Sequence, residues 1–126
     1  MRMITVRING QEVEADLLNP AITKKFEDGF DAVLKKYNEA AMCKRGSEGI
    51  QAQCEAVVDY VAGIFGAGAA RKIFGEETDL LTCMDVLEEM QDVYPGQVNP
   101  IIKERAAMLE QRLEASAGDK GDGLQR

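Results

Sequence analysis

The chain contains no histidine and no tryptophan. Without histidine, Ser-His and Cys-His nucleophilic catalysis, imidazole general-base chemistry and nearly every zinc site fall away. Aromatic residues make up only 6%, so a core built from the 45% hydrophobic content must use Ile, Val, Leu, Met and Ala. No apolar run approaches the ~18 residues that span a bilayer, and residues 1–8 alternate charged and apolar side chains where a signal peptide would carry an apolar block. These absences predict a soluble, cytoplasmic protein with no membrane partner. Three cysteines, Cys43, Cys54 and Cys83, stand far apart and in odd number. That spacing suits neither a disulfide framework nor a metal site, and Cys54 and Cys83 read as small buried hydrophobes on helical stripes.

Bases are missing from one segment. Between Glu76 and Asp92 stand Glu76, Glu77, Asp79, Asp85, Glu88, Glu89 and Asp92 with no lysine or arginine, and elsewhere acids and bases balance, so the net charge of −7 belongs to this segment. Nucleic-acid binding needs a concentrated positive surface and is disfavoured. With 126 residues the chain is predicted to form a single domain over residues 1–115, followed by a glycine-rich, disordered tail over 116–126.

What is present reads as an α+β, mainly α fold: an N-terminal β-hairpin followed by about five helices in a compact bundle. Ile4, Val6 and Ile8 alternate with polar residues, and Val13 and Ala15 continue the pattern beyond Asn9-Gly10. An Asn-Gly pair between alternating runs is a strong hairpin signal, because both positions of a type I′ turn take positive φ. Two strands alone are marginal in water, so the apolar face must be covered by a helix or another chain. Asn19-Pro20 predicts the start of a first helix reaching about Arg45, with Ile22, Phe26, Phe30, Val33, Leu34, Tyr37 and Ala41 on its inner stripe. Gly29 within it marks a close helix crossing or a slight bend. Gly46 and Ser47 predict a stop and a new cap, with a second helix over about 48–65. Gly66-Ala67-Gly68 then breaks the chain before a short helix over 69–74 that Gly75 closes. Thr78 or Asp79 caps a fourth helix, whose inner stripe reads Leu80, Leu81, Met84, Leu87, Met90 and Tyr94 up to a stop at Pro95-Gly96. Asn99-Pro100 opens a fifth, carrying Ile101, Ile102, Ala106, Leu109 and Leu113.

Three constellations bear on function. The glycines at 66 and 68 with Arg71 and Lys72 resemble a phosphate loop, but a helix precedes them and Arg71 replaces the final glycine, so a helix cap and corner is the better reading. Asp85, Glu88, Glu89 and Asp92 share a helical face that would hold Mg²⁺ only with a second acidic helix, for which Glu55 and Asp59 are an indifferent pair. The bland reading is a solvated or partner-facing acidic surface, and no metal or other cofactor is expected. Lys35 and Lys36 lie in the basic but acid-interleaved first helix, a solvated face by default; with Arg71 and Lys72 they set positive charge against the acidic segment, as a head-to-tail assembly would. The candidate interaction surface is therefore Ile4, Val6 and Ile8 on the hairpin, Lys35, Lys36, Arg71 and Lys72, and Asp85, Glu88, Glu89 and Asp92.

The order of elements carried by ITVRINGQEVEAD, NPAITKKFEDGFDAVLKK and GIFGAGAARKIFGEETDL, ending in an acidic helix pair, resembles small proteins of the tail-gene clusters of tailed bacteriophages and prophages, grouped with tail assembly chaperones. Its sharpest piece runs from Phe65-Gly66 through Arg71, Ile73, Phe74, Gly75 and Asp79. The resemblance implies a non-enzymatic, mostly helical protein of the bacterial host cytoplasm. It implies self-association and the holding of the long helical tape-measure protein in solution during tail assembly. Families of this kind often have a longer form made by translational frameshifting. Two other readings stand beside it: a structural tail or head-connector component of the particle, and a small all-α Mg-dependent nucleotide hydrolase.

Overall fold

A computed structural model of the chain describes the backbone of residues 2–124 and the side chains of residues 2–116. The fold is an N-terminal β-hairpin followed by helices, as the residue pattern predicts. Strands β1 (Ile4–Ile8) and β2 (Gln11–Ala15) pair antiparallel, with Val6 opposite Val13 and Ile8 opposite Gln11. Asn9 at φ 51° and Gly10 at φ 75° make the turn, both in the left-handed region that this residue pair tolerates. Helices α1 (Pro20–Ala40), α2 (Gly46–Phe65), α3 (Ala67–Phe74) and α4 (Leu80–Asp92) follow. A π-helical segment over Val93–Val98 leads into α5 (Asn99–Leu124). The chain divides into two compact units, Met1–Val93 and Tyr94–Arg126, whereas the sequence reading draws its boundary after residue 115. The expected tail begins inside α5, which runs on to Leu124; Ser116 is exposed, and residues 125 and 126 fall outside the described residues.

The hairpin supplies one wall of the first unit's core. Val6, Ile8, Val13, Ala15 and, just beyond the strand, Leu17 are buried. They face α2 and α3 on the β2 side and α4 on the β1 side. The cover that two strands need is thus supplied by this chain's own helices.

Helices α1 and α2 form an antiparallel pair. Asn19 caps α1, its side-chain oxygen accepting from the Ala21 amide at 2.9 Å, with Pro20 in the first turn. Tyr60 of α2 lies edge-on to Phe26 and Phe30, with centroids 5.8 and 6.3 Å away, and its hydroxyl donates to the buried Phe26 carbonyl at 2.8 Å. Gly29 permits this approach, because a Cβ there would stand 2.8 Å from Tyr60 Cε1. The glycine marks a crossing. Helix α1 ends at Ala40, short of the expected Arg45, and buries Ala40 in place of Ala41, while Leu34 turns outward. Helix α2 begins at Gly46 with no side-chain cap, so Ser47 does not serve as one.

Corner geometry around α3 is set by two glycines. Gly66 (φ 100°, ψ 159°) and Gly75 (φ 75°, ψ −166°) occupy a region that side-chain-bearing residues essentially never adopt. Gly68 lies inside α3 with open space around its Cα. Gly66→Ala is therefore expected to lower stability by about 1–3 kcal/mol through backbone strain alone. Gly68→Ala is expected to raise it by up to about 1 kcal/mol through helix propensity. Urea denaturation of the two variants checks the pair, and equal effects would contradict it.

In α4 the buried stripe is Cys83, Val86, Leu87 and Met90, with Asp79 capping the helix through an acceptor bond from the Thr82 amide at 2.8 Å. The expected stripe is rotated: Leu81 is 72% exposed and Met84 46%. Pro95-Gly96 does not stop the helix. The wider π turn carries the chain through a proline that has no N–H to give, and Asn99 is the first residue of α5, not a cap outside it.

Candidate functional site

The eleven residues expected to form an interaction surface separate into two groups. Val6 and Ile8 are core residues and Ile4 is half-buried, because the alternation that suggested an exposed face is the face turned to the helices. Glu89 and Lys72 are likewise engaged within the chain. The Asn9 amide donates to Glu89 Oε2 at 2.6 Å, and Asn9 Nδ2 donates to the Ile73 carbonyl at 2.9 Å. Lys72 Nζ donates to the Glu12 carbonyl at 2.8 Å. Together they pin the hairpin turn to α3 and α4, so these residues position the hairpin within the chain.

The second group is free. Asp85, Glu88 and Asp92 are exposed on α4, Arg71 is exposed on α3, and Lys35 and Lys36 are exposed on α1 among Asp31 and Glu39. None of these six makes an ion pair among the described residues; the pair that α1 does contain is Lys24 with Asp28 at 2.8 Å, exposed and so of small energetic weight. No group of three or more Asp, Glu or Cys side chains converges to hold a metal ion among the described residues.

Two exposed apolar surfaces stand outside that expectation, one in each unit. On α4, Leu81 and Met84 recur with Asp85, Glu88 and Asp92 at helical spacing, so all five share one exposed face. On α5 the apolar residues expected from the sequence, Ile101, Ile102, Ala106, Leu109 and Leu113, are all exposed, Leu113 by 61%, and Met108 is exposed with them. Arg105 and Arg112 lie in the middle of that face, seven residues apart. The signal available in the sequence was the shared helical face of acids and apolar residues in α4. A stripe assigned to the core by hydropathy alone conceals it.

Elsewhere, Ile50, Gln51, Cys54, Val58, Asp59 and Thr78 border a depression of about 590 Å³ beside α2. Beneath it Cys83 is fully buried, its thiol 3.8 Å from Thr78 Oγ1 and 4.0 Å from the Cys54 carbonyl. Burial, with the Cys54 contact second, pushes the Cys83 thiol up to about 12. Between the unfolded thiol's ordinary value and about 12 the folded state keeps a proton that the unfolded state has lost, so stability must fall as pH rises through that window. Wild type should therefore lose more stability than Cys83→Ala between pH 9 and 11, approaching about 1.4 kcal/mol per pH unit of difference. Parallel slopes in pH-dependent denaturation would contradict this.

The fold and its surfaces define a class: a helical protein with an N-terminal hairpin, an exposed acidic-apolar face on α4 and an exposed basic-apolar face on α5 among the described residues. Residues 9–119 match the family of unknown function DUF6673, and the chain belongs to that family. No curated protein and no solved structure matches it. No helix among the described residues is long and apolar enough to cross a membrane.

Proposed function

We propose that this protein is a non-enzymatic assembly factor of a phage or prophage tail, a chaperone that self-associates and holds the tape-measure protein in solution in the bacterial cytoplasm. The observation that carries the reading is the row of exposed apolar residues Ile101, Ile102, Met108, Leu109 and Leu113 along α5. Helices that leave such a face in water mark a surface that another polypeptide covers, and a long helical partner offers a matching apolar stripe for helix-in-groove pairing. The order of elements that resembles the tail-cluster proteins supports the identity of that partner. The charges agree, because Asp85, Glu88 and Asp92 on α4 and Arg105 and Arg112 on α5, which make no ion pair among the described residues, serve orientation and partner choice.

A component that stays in the particle would use the same surfaces, so the distinguishing measurement is the protein content of purified particles. Mass spectrometry of particles is expected to find the tape measure and tube subunits without this chain. Its presence at a fixed stoichiometry would overturn the chaperone reading in favour of a structural one.

A further inference from the structure

We infer that the chain assembles head to tail through two different helix faces: the acidic face of α4 on one copy receives the basic face of α5 from the next. This deepens the self-association in the proposed function and names its interface. The α4 face consists of Leu81, Met84, Asp85, Glu88 and Asp92, all exposed. Glu89, the neighbouring acid, is spent on the Asn9 amide and takes no part. The α5 face consists of Ile101, Met108 and Leu109 around Arg105 and Arg112, all exposed.

Four properties make these faces partners. Each places apolar side chains among charges whose excess is of one sign, acidic on α4 and basic on α5. Neither set of charges has an ion-pair partner among the described residues. Their lengths agree, since residues 81–92 and 101–112 each span ~17 Å at 1.5 Å per residue. Finally, Glu110 and Glu114 lie on the far side of α5 by helical spacing, and Glu104 borders the face beside Ile101 and Met108, so the two arginines leave the face with an excess of positive charge. The lysines of α1 fit less well: Lys35 and Lys36 stand among Asp31 and Glu39, where an incoming acidic face would meet its own sign.

An α4 face meeting an α5 face is a heterologous contact, which uses a different surface on each copy and leaves one of each open at the ends. Two copies of α5 meeting on their basic faces would instead set Arg105 and Arg112 against like charges. The contact is also salt-sensitive, because its charges lie at the rim of a solvent-exposed face.

The test uses two interface-broken forms of the full chain, Arg105→Glu/Arg112→Glu and Asp85→Lys/Glu88→Lys, with circular dichroism confirming that each stays folded. Light scattering after size exclusion is expected to find wild type in masses above the 13.8 kDa of one chain, rising with concentration. Each variant alone should fall to one chain mass. Mixed, they retain one intact and one doubly reversed junction, so together they should regain complexes of two chains or more. Wild type that stays at one chain mass at all concentrations overturns the inference. So do variants that assemble as wild type does, and an Asp85→Lys/Glu88→Lys form that assembles unchanged while the arginine variant does not, which would assign the contact to α5 alone. In the last two cases self-association survives and only this interface is lost. Binding of the tape-measure protein is read separately, so failure here is distinguishable from failure of the chaperone reading.

Discussion

Ile8→Ala is expected to destabilise the protein by about 3–5 kcal/mol, the range for deleting a fully buried aliphatic side chain whose site cannot collapse. Ile8 is 0% exposed and ends β1 immediately before Asn9, whose amide and side chain are tied to Glu89 and Ile73. With the turn held on both sides, the strand cannot slide in to fill the hole. Ile4, four residues earlier on the same strand face, is half-buried, so Ile4→Ala should cost less than half as much. Chemical denaturation of both variants decides between a core and a docking role for this face. A stable Ile8→Ala protein that had lost only self-association would return the hairpin to the interaction surface.

Gly49→Val should cost about 3 kcal/mol, near the upper end for overpacking. A Cβ at Gly49 would stand 2.7 Å from the Ala40 carbonyl oxygen and 3.4 Å from Cys43 Cβ. The first of these is a backbone atom at the end of α1, so no rotamer change relieves the contact and the α1–α2 pair must spread. Spreading is resisted further down the same pair by the Tyr60 hydroxyl on the Phe26 carbonyl. Gly29→Ala meets a side chain, the Tyr60 ring edge, which yields only by straining that hydrogen bond; a smaller loss of about 1–2 kcal/mol is expected. The thermal midpoint should therefore fall more for Gly49→Val than for Gly29→Ala, and the reverse order would contradict the packing described for the pair.

Local chemistry was legible in the sequence and long-range partnership was not. Asn9-Gly10, Asn19-Pro20, Gly75 and Asp79 each act within a few residues, and each does in the fold what its type predicts. Glu89 bonds an amide eighty positions away, a pairing that no spacing rule contains. The stripe on α4 was misplaced because Leu81 and Met84 are as apolar as the residues that are buried; which face turns inward is settled by Cys83, Val86, Leu87 and Met90 packing together. The same limit applies to α5, where hydropathy marks an apolar face without saying whether this chain or another covers it. Pro95-Gly96 is a strong stop signal overridden by a π turn that accommodates the missing donor.

In the proposed function, the apolar faces left exposed on α4 and α5 are covered by other polypeptide. Co-expression with the proposed partner, a tape-measure protein, tests this, with the soluble fraction of that partner measured in the presence of wild type, of Ile102→Asp/Leu113→Asp, which lie outside the copy-to-copy face, and without this chain. A soluble complex containing both chains is expected with wild type, reduced recovery with Ile102→Asp/Leu113→Asp, and an insoluble partner alone. A partner whose solubility is the same in all three, with neither chain retained on the other, would contradict it.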